Sequence, residues 1–203
     1  KRGDKAAVKA MVDELLIKYP GATITISNNG FTPYPGMPEN VIQIDRFPKL
    51  ESRMAQLEFF IVLLFKGKFA FTKEARKFIR ALKEADVVLH APGGPSIGDT
   101  YFKAEKLYLW RLNLIRRMGI PYIFYAPSMG PFNCASRNKL RKEVISGAER
   151  IVLRDPISVK YVKDFLPGVE VEQALDSALQ HDIDIDKNET KYNNYPELKN
   201  FIE

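Results

Sequence analysis

Four apolar runs typical of strands each end in a loop of glycine, proline, serine, aspartate or arginine, and this pattern constrains the fold most. The runs lie at residues 87–90, 122–126, 151–153 and 169–171, and helical patterns separate them. Strands joined through helices run parallel, so their carboxyl ends meet at one rim of the sheet. We therefore predict an α/β fold with a parallel sheet. Open sheets of this class bind ligands at that rim.

Composition predicts one hydrophobic core. The chain has 203 residues, of which 45% are hydrophobic, and this suits a single domain. We assign residues 1–180 to that domain and the polar residues 181–203 to an interdomain linker and the start of a further segment. Cys134 is the only cysteine, and no secretion signal opens the sequence, so we expect a reducing cytoplasm.

The charge favours anionic partners. A net charge of +6 and a pI near 9.3 suit anionic small molecules, anionic lipid surfaces or nucleic acid. Basic residues are spread among acidic ones, so we expect no nucleic acid. The apolar run at residues 57–65 contains a glutamate and is far shorter than the roughly 20 residues of a membrane-spanning helix. It is interpreted as a buried helix or, alternatively, as a surface membrane anchor.

The residues before position 87 predict helices and shorter strands. Apolar spacing predicts a first helix, capped by Asp4, with Val8 and Met11 inward. Further predictions are strands at 22–26 and 41–44 and helices at 51–66 and 72–85, the second of these helices capped by Thr72. We expect a strand upstream of Lys1 and a short helix at 196–203, with the chain truncated at both ends.

The helices after Asp99 are predicted from the same signals. Apolar spacing places Leu107 and Leu114 on the inward face of the first one and Arg111 elsewhere. Ser136 or Asn133 could cap a helix at 137–146, and Asp155 begins the helix that ends near residue 166.

Two loops at the predicted rim carry small residues that suit a ligand. Gly93 and Gly94 would let a ligand approach the backbone, with amide groups at the following helix start holding an anion. The alternative is a turn that only allows close packing. Ser128 fits either a hydrogen-bond donor to a ligand oxygen or a hydroxyl that stabilises its turn.

Charged residues at the same rim are candidates for chemistry. Arg154 follows a strand, where it could grip phosphate or carboxylate, or instead form an ion pair with Asp155 or Asp176. Asp4, Asp99 and Asp176 are candidate acid–base carboxylates, although capping and turn formation also suit them; we favour Asp99 as the base. His90 and His181 are interpreted as structural, and no residue spacing indicates a metal site.

Five short motifs, taken in order, resemble the polysaccharide pyruvyl transferase family from residue 2 to about residue 179. They are Arg2-Gly3-Asp4-Lys5-Ala6, Ala91-Pro92-Gly93-Gly94-Pro95, Ser128-Met129-Gly130-Pro131, Arg154-Asp155-Pro156-Ile157-Ser158 and Asp176-Ser177-Ala178. The resemblance implies a Rossmann-like parallel sheet with helices on both faces, forming one half of a GT-B-like two-domain architecture. The chain departs from the family in its shorter glycine run.

The resemblance also implies an enzyme that moves a pyruvyl group from phosphoenolpyruvate to a pair of sugar hydroxyls in cell-surface polysaccharide biosynthesis. No cofactor is implied, because phosphoenolpyruvate is the donor substrate. The acceptor would be a sugar or a lipid-linked saccharide, with peripheral association at the inner face of the membrane as a further expectation. The family's donor site belongs largely to the second half, so we expect the isolated fragment to be incomplete.

The motifs imply roles for particular residues. Asp99 or Asp4 would handle the acceptor hydroxyl proton, and Arg154 with the amides near Gly93 and Gly94 would hold anionic groups. The remaining substrate-binding candidates are Gly3, Asn28, Ser128, Gly130, Asp155, Ser158 and Asp176. Two alternatives stay open: a GT-B glycosyltransferase that uses a nucleotide-sugar, and a non-catalytic glycan-binding half.

Overall fold

The computed structural model describes residues 2–27, 33–34, 36–48 and 52–180, which contain six α-helices and eight strands. The helices are α1 (Arg2–Lys18), α2 (Arg53–Leu64), α3 (Lys73–Glu84), α4 (Phe102–Met118), α5 (Ala135–Ser146) and α6 (Pro156–Phe165). The strands are β1 (Ile24–Ser27), β2 (Val41–Ile44), β3 (Val88–His90), β4 (Gly93–Ile97), β5 (Tyr122–Tyr125), β6 (Pro127–Met129), β7 (Arg150–Leu153) and β8 (Glu172–Gln173). Asn28 and the predicted segment 181–203, including its helix, lie outside the described residues.

Strands β3, β5, β7 and β8 form one parallel sheet in that order. Each strand pairs with the next one of the sheet along the chain, and a helix lies between the two, which is the arrangement of a Rossmann-like α/β fold. The prediction of an α/β fold with a parallel sheet is confirmed. The fourth strand begins at Glu172, later than predicted, because Val169 and Val171 pack against the core instead.

The segments that follow β3 and β5 are strands rather than the predicted loops. They form the parallel pair β4–β6, in which Gly93 lies opposite Pro127 and Ile97 opposite Met129. Ala126, with φ of 53°, separates β5 from β6. Pairing gives main-chain groups of the two segments hydrogen-bond partners. The glycine segment is therefore extended and paired, and the prediction of an open glycine loop is wrong.

Two hydrophobic clusters hold these elements together. The larger one surrounds the four-stranded sheet and includes Phe59, Phe124 and Leu153, all fully buried. The smaller one packs α1 against β2 through Val8, Met11, Val12 and Val41, which confirms the predicted inward face of the first helix.

Two local predictions are wrong. The first helix begins at Arg2, so Asp4 lies in its first turn and does not cap it. Arg111, predicted away from the inward face of α4, is buried. Its Nε donates to the Phe47 carbonyl at 2.5 Å and its guanidinium lies over the Phe78 ring, so an aromatic surface covers it.

Candidate functional site

Arg154 is the centre of a polar cluster beyond the carboxyl end of β7. Its Nε donates to the Ser128 hydroxyl at 2.8 Å, and its Nη1 bonds Asp176 at 2.6 Å. The ion pair with Asp176, one of the sequence-based alternatives, is therefore present. Within the part of the chain that the structure describes, Nη2 of Arg154 has no hydrogen bond, and the side chain is 25% exposed. With Nε and Nη1 engaged by two different partners, the guanidinium is held in place while the Nη2 amino group can still donate to an anion.

Asp155 locks this cluster to the start of α6. One carboxylate oxygen accepts from the Ser158 backbone N–H at 2.7 Å, which makes Asp155 the helix N-cap as predicted. The other oxygen accepts from the hydroxyls of Ser128 and Ser158, both at 2.8 Å. Buried Ser158 in turn accepts from the Met129 N–H. The Asp155 carboxylate therefore has little capacity left for a ligand.

The hydrogen bonds of Asp155 also set its charge. Desolvation raises the pKa of this carboxyl, but the bonds from Ser158 and Ser128 and the charge of Arg154 outweigh it and leave the pKa below its usual value. Asp155 therefore stays ionised beside Arg154 at neutral pH.

The rim contacts helix α1 through the residues that follow β8. Asp176 accepts from the Ala178 N–H at 3.0 Å, and the buried Ser177 hydroxyl donates to the Ala7 carbonyl at 3.2 Å. Asp4 lies one turn before Ala7 in α1, a separation of about 4.5 Å along the helix axis. The Asp4 side chain is not among those described, and Gly3 is exposed in the same turn.

Asp99 lies in a second cluster that links α4 to α5. Its carboxylate bonds Arg141 at 2.7 Å and accepts from the backbone N–H groups of Asn133 and Cys134. Arg141 and Glu105 are both fully buried and form a bidentate pair, and Arg137 also bonds Glu105. Asn133 or Ser136 was predicted to cap α5. Instead Cys134 is the N-cap residue, its side chain makes no capping bond, and Asp99 accepts from the amides at this end of the helix.

The surroundings of Asp99 keep it ionised. Burial raises its pKa, but the hydrogen bonds from Arg141, Asn133 and Cys134 together bring the pKa below its ordinary value. Such a carboxylate is a weak base. The backbone amides that precede α4 are also engaged. The Gly98 N–H donates to Glu105, and the Asp99 N–H donates to the Pro131 carbonyl.

Gly98 and Gly130 bring the two clusters together. Both have positive φ, 141° and 90°. A Cβ on Gly98 would lie 2.5 Å from the Gly130 carbonyl oxygen, and one on Gly130 would lie 2.6 Å from the Tyr161 ring. Gly130 is buried, so close packing accounts for glycine at both positions.

Five of the residues predicted for the site form one hydrogen-bonded group: Ser128, Arg154, Asp155, Ser158 and Asp176. Gly93 and Gly94 lie in β4, and Asp99 belongs to the second cluster. Sequence reasoning missed Glu105 and Arg141. Their signal was a charge at a helix position whose i+4 neighbour is apolar and buried, Leu109 and Ile145 respectively.

The described residues contain no group of three or more His, Cys, Asp or Glu side chains that could hold a metal ion. Among the described helices, none combines the length and apolar character needed to cross a bilayer.

The chain is a Rossmann-like α/β protein with a polar, arginine-centred cluster at the carboxyl end of its strands, which is the place where open α/β sheets commonly bind ligands. The model of the polysaccharide pyruvyl transferase family matches residues 2–202. The chain belongs to this transferase family, as its motifs predicted, and pyruvyl transfer is the general kind of reaction that the match supports. No curated protein and no solved structure matches the chain.

Proposed function

We propose that this chain serves the transfer of a pyruvyl group from phosphoenolpyruvate to two hydroxyls of a sugar, with release of inorganic phosphate. Membership of the pyruvyl transferase family supports the reaction. The observation that carries the assignment of the site is the Arg154 guanidinium, fixed by Ser128 and Asp176 at the rim.

The reaction needs an anion receptor and proton transfer. The methylene carbon of phosphoenolpyruvate gains a proton, and a sugar hydroxyl forms a bond to the adjacent carbon as its own proton leaves. The carbon–oxygen bond to phosphate then breaks, and attack by the second hydroxyl closes the ketal. Of the two hydroxyl protons, one balances the new methyl group and the other leaves with phosphate.

We assign the anion receptor to Arg154. Both substrates carry anionic groups if the acceptor sugar is linked to a nucleotide or lipid diphosphate. The Nη2 amino group could donate to a phosphate or carboxylate oxygen without disturbing the bonds to Ser128 and Asp176. Ser128 then acts as a positioning residue, because its hydroxyl accepts from Arg154 and donates to Asp155.

We assign the acceptor proton to Asp4 rather than Asp99. Asp99 already uses both carboxylate oxygens to bind Arg141 and two backbone amides. Asp4 lies in the first turn of α1. The same helix contacts the rim where its Ala7 carbonyl accepts a hydrogen bond from Ser177. Asp99 then holds α5 in place beneath the site.

Arginine substitutions test the receptor. We expect Arg154→Ala in the complete protein to lower kcat/KM about 100-fold, because a donor to a charged substrate group is lost. Arg150→Ala is the matched control. Arg150 begins β7, at the strand end away from Arg154, and its ion pair with Glu172 is exposed, so kcat/KM should stay within about twofold. Phosphate release and product mass, with phosphoenolpyruvate and lipid-linked or nucleotide-linked sugars, are the measurements.

Unchanged turnover by Arg154→Ala would remove Arg154 from the reaction. Product formation from a nucleotide-sugar, without any from phosphoenolpyruvate, would replace the pyruvyl transfer itself with glycosyl transfer.

Aspartate substitutions test the base. Asp4→Asn should lower kcat about 100-fold or more, the usual effect of losing a general base, without a change in the free energy of unfolding. Asp13→Asn, on the same helix and paired with Lys9, is the control and should keep full activity. Asp99→Asn should instead reduce stability. Full activity of Asp4→Asn, measured as phosphate release, would contradict the assignment.

A further inference from the structure

Helix α2 is apolar on two sides, but only one side packs against the protein. At about 100° per residue, Phe59 and Val62 fall on the side that is fully buried. The opposite side exposes a row of large apolar residues with 43–73% of their surface accessible. This row consists of Met54, Leu57, Phe60, Leu64 and Phe65.

The turn after α2 extends this surface. Phe69 and Phe71 are about half exposed, and the Phe65 and Phe69 rings meet edge to face at 4.9 Å. Glu58 fastens the turn to the helix, because its carboxylate accepts from the N–H groups of Phe71 and Thr72 and from the Thr72 hydroxyl. We call the exposed row of α2 together with Phe69 and Phe71 the α2 patch.

Basic residues predominate around the α2 patch, and Glu74, in the first turn of α3, is the acidic residue that follows it. Residues 53–73 contain four basic residues, Arg53, Lys66, Lys68 and Lys73, and all four are exposed. Glu58 is the one acidic residue in that stretch, and it is buried and hydrogen-bonded. Arg76 lies beside the turn as well, donating to the Phe71 carbonyl.

We infer that the α2 patch docks this protein onto the surface of an anionic lipid bilayer. Exposed phenylalanine and leucine side chains would enter the region between headgroups and acyl chains, while the lysines and arginines contact anionic headgroups. Charge complementarity selects a lipid surface, because a wide apolar area with an excess of exposed basic residues around it matches a sheet of negative headgroups over hydrocarbon. The inference is independent of the reaction, since binding can be measured without turnover.

The test is flotation of the full chain with vesicles of phosphatidylcholine and phosphatidylglycerol at about 7:3, compared with pure phosphatidylcholine. We expect binding to the anionic vesicles and at least about tenfold weaker partitioning to the neutral ones, because each lysine near the surface adds attraction. Leu57→Ser/Leu64→Ser should weaken binding to anionic vesicles at least about tenfold. Both leucines are more than half exposed, so the fold should tolerate the change.

Ile17→Ser is the matched control, because Ile17 is 74% exposed on α1 and should leave partitioning unchanged. Trp110, the single tryptophan, contacts Phe60 at 5.1 Å, so its emission should shift to shorter wavelength on binding. No flotation with anionic vesicles, or equal flotation of the Leu57→Ser/Leu64→Ser variant, would overturn the inference. In the first case the α2 patch would be assigned to a protein partner instead.

Discussion

His90, at the end of β3, is enclosed on several sides. Its Nε2 lies 2.7 Å from the Ser96 hydroxyl, and its ring meets Tyr108 and Phe124 edge to face. Burial, with a smaller contribution from the charge of Arg111, lowers the pKa of His90 to about 4. The imidazole is therefore neutral in the folded protein at physiological pH.

This depressed pKa predicts acid sensitivity. An unfolded histidine binds a proton near pH 6.5, whereas folded His90 does so only near pH 4. The contribution of His90 is complete above about pH 6.5 and is lost as the pH falls towards 4, by up to about 3 kcal/mol. His90→Gln should flatten the wild-type curve in that window, as measured by urea unfolding at a series of pH values. Parallel curves for the two proteins would show that His90 is not the group responsible.

A buried network of charged side chains joins helix α4 to helix α5. Glu105 and Arg141 have no exposed side-chain surface, and each also bonds a partner from the other helix or its approach: Arg137 for Glu105 and Asp99 for Arg141. A buried charge without its partner is costly. The network therefore holds the two helices in one relative position, directly beneath the Gly98–Gly130 contact.

Removal of one member of the Arg141–Glu105 pair should lower the stability of the protein. Arg141→Met leaves Glu105 with Arg137 and the Gly98 N–H as partners, and we expect the free energy of unfolding to fall by about 3–5 kcal/mol. Lys160→Met serves as the control, because the pair of Lys160 with Asp164 is exposed and should contribute less than about 1 kcal/mol. Guanidinium unfolding followed by circular dichroism measures both. Similar losses for the two variants would mean that the buried network contributes little.

Elements with a regular pattern could be predicted from the sequence. Val41–Ile44 and the helix capped by Thr72 lie where apolar spacing and the cap indicated. The pair β4–β6 could not be predicted in this way, because glycine and proline disfavour strands locally and only the partner segment makes the extended form stable.

For the molecule as a whole, the parallel direction of the strands and their shared rim followed from the alternation of strands and helices. The cluster around Arg154 was predicted in its members, but of its bonds only the ion pair with Asp176 was named, as one of several alternatives. The partner of Arg154 depends on how the folded chain places Asp176 and Ser177 near the rim. A local sequence pattern carries no information on this placement. The charged network of α4 and α5 was missed for the same reason: Glu105 and Arg141 are 36 positions apart.

The bond between Ser177 and Ala7 spans 170 positions of the chain. During synthesis α1 emerges from the ribosome before every described strand, whereas its partner Ser177 emerges after all of them. Contacts between such distant residues form late and slow the folding of a domain. The candidate site should therefore be the last region to gain protection from hydrogen exchange on refolding, and a nascent chain that stops before residue 177 would lack it.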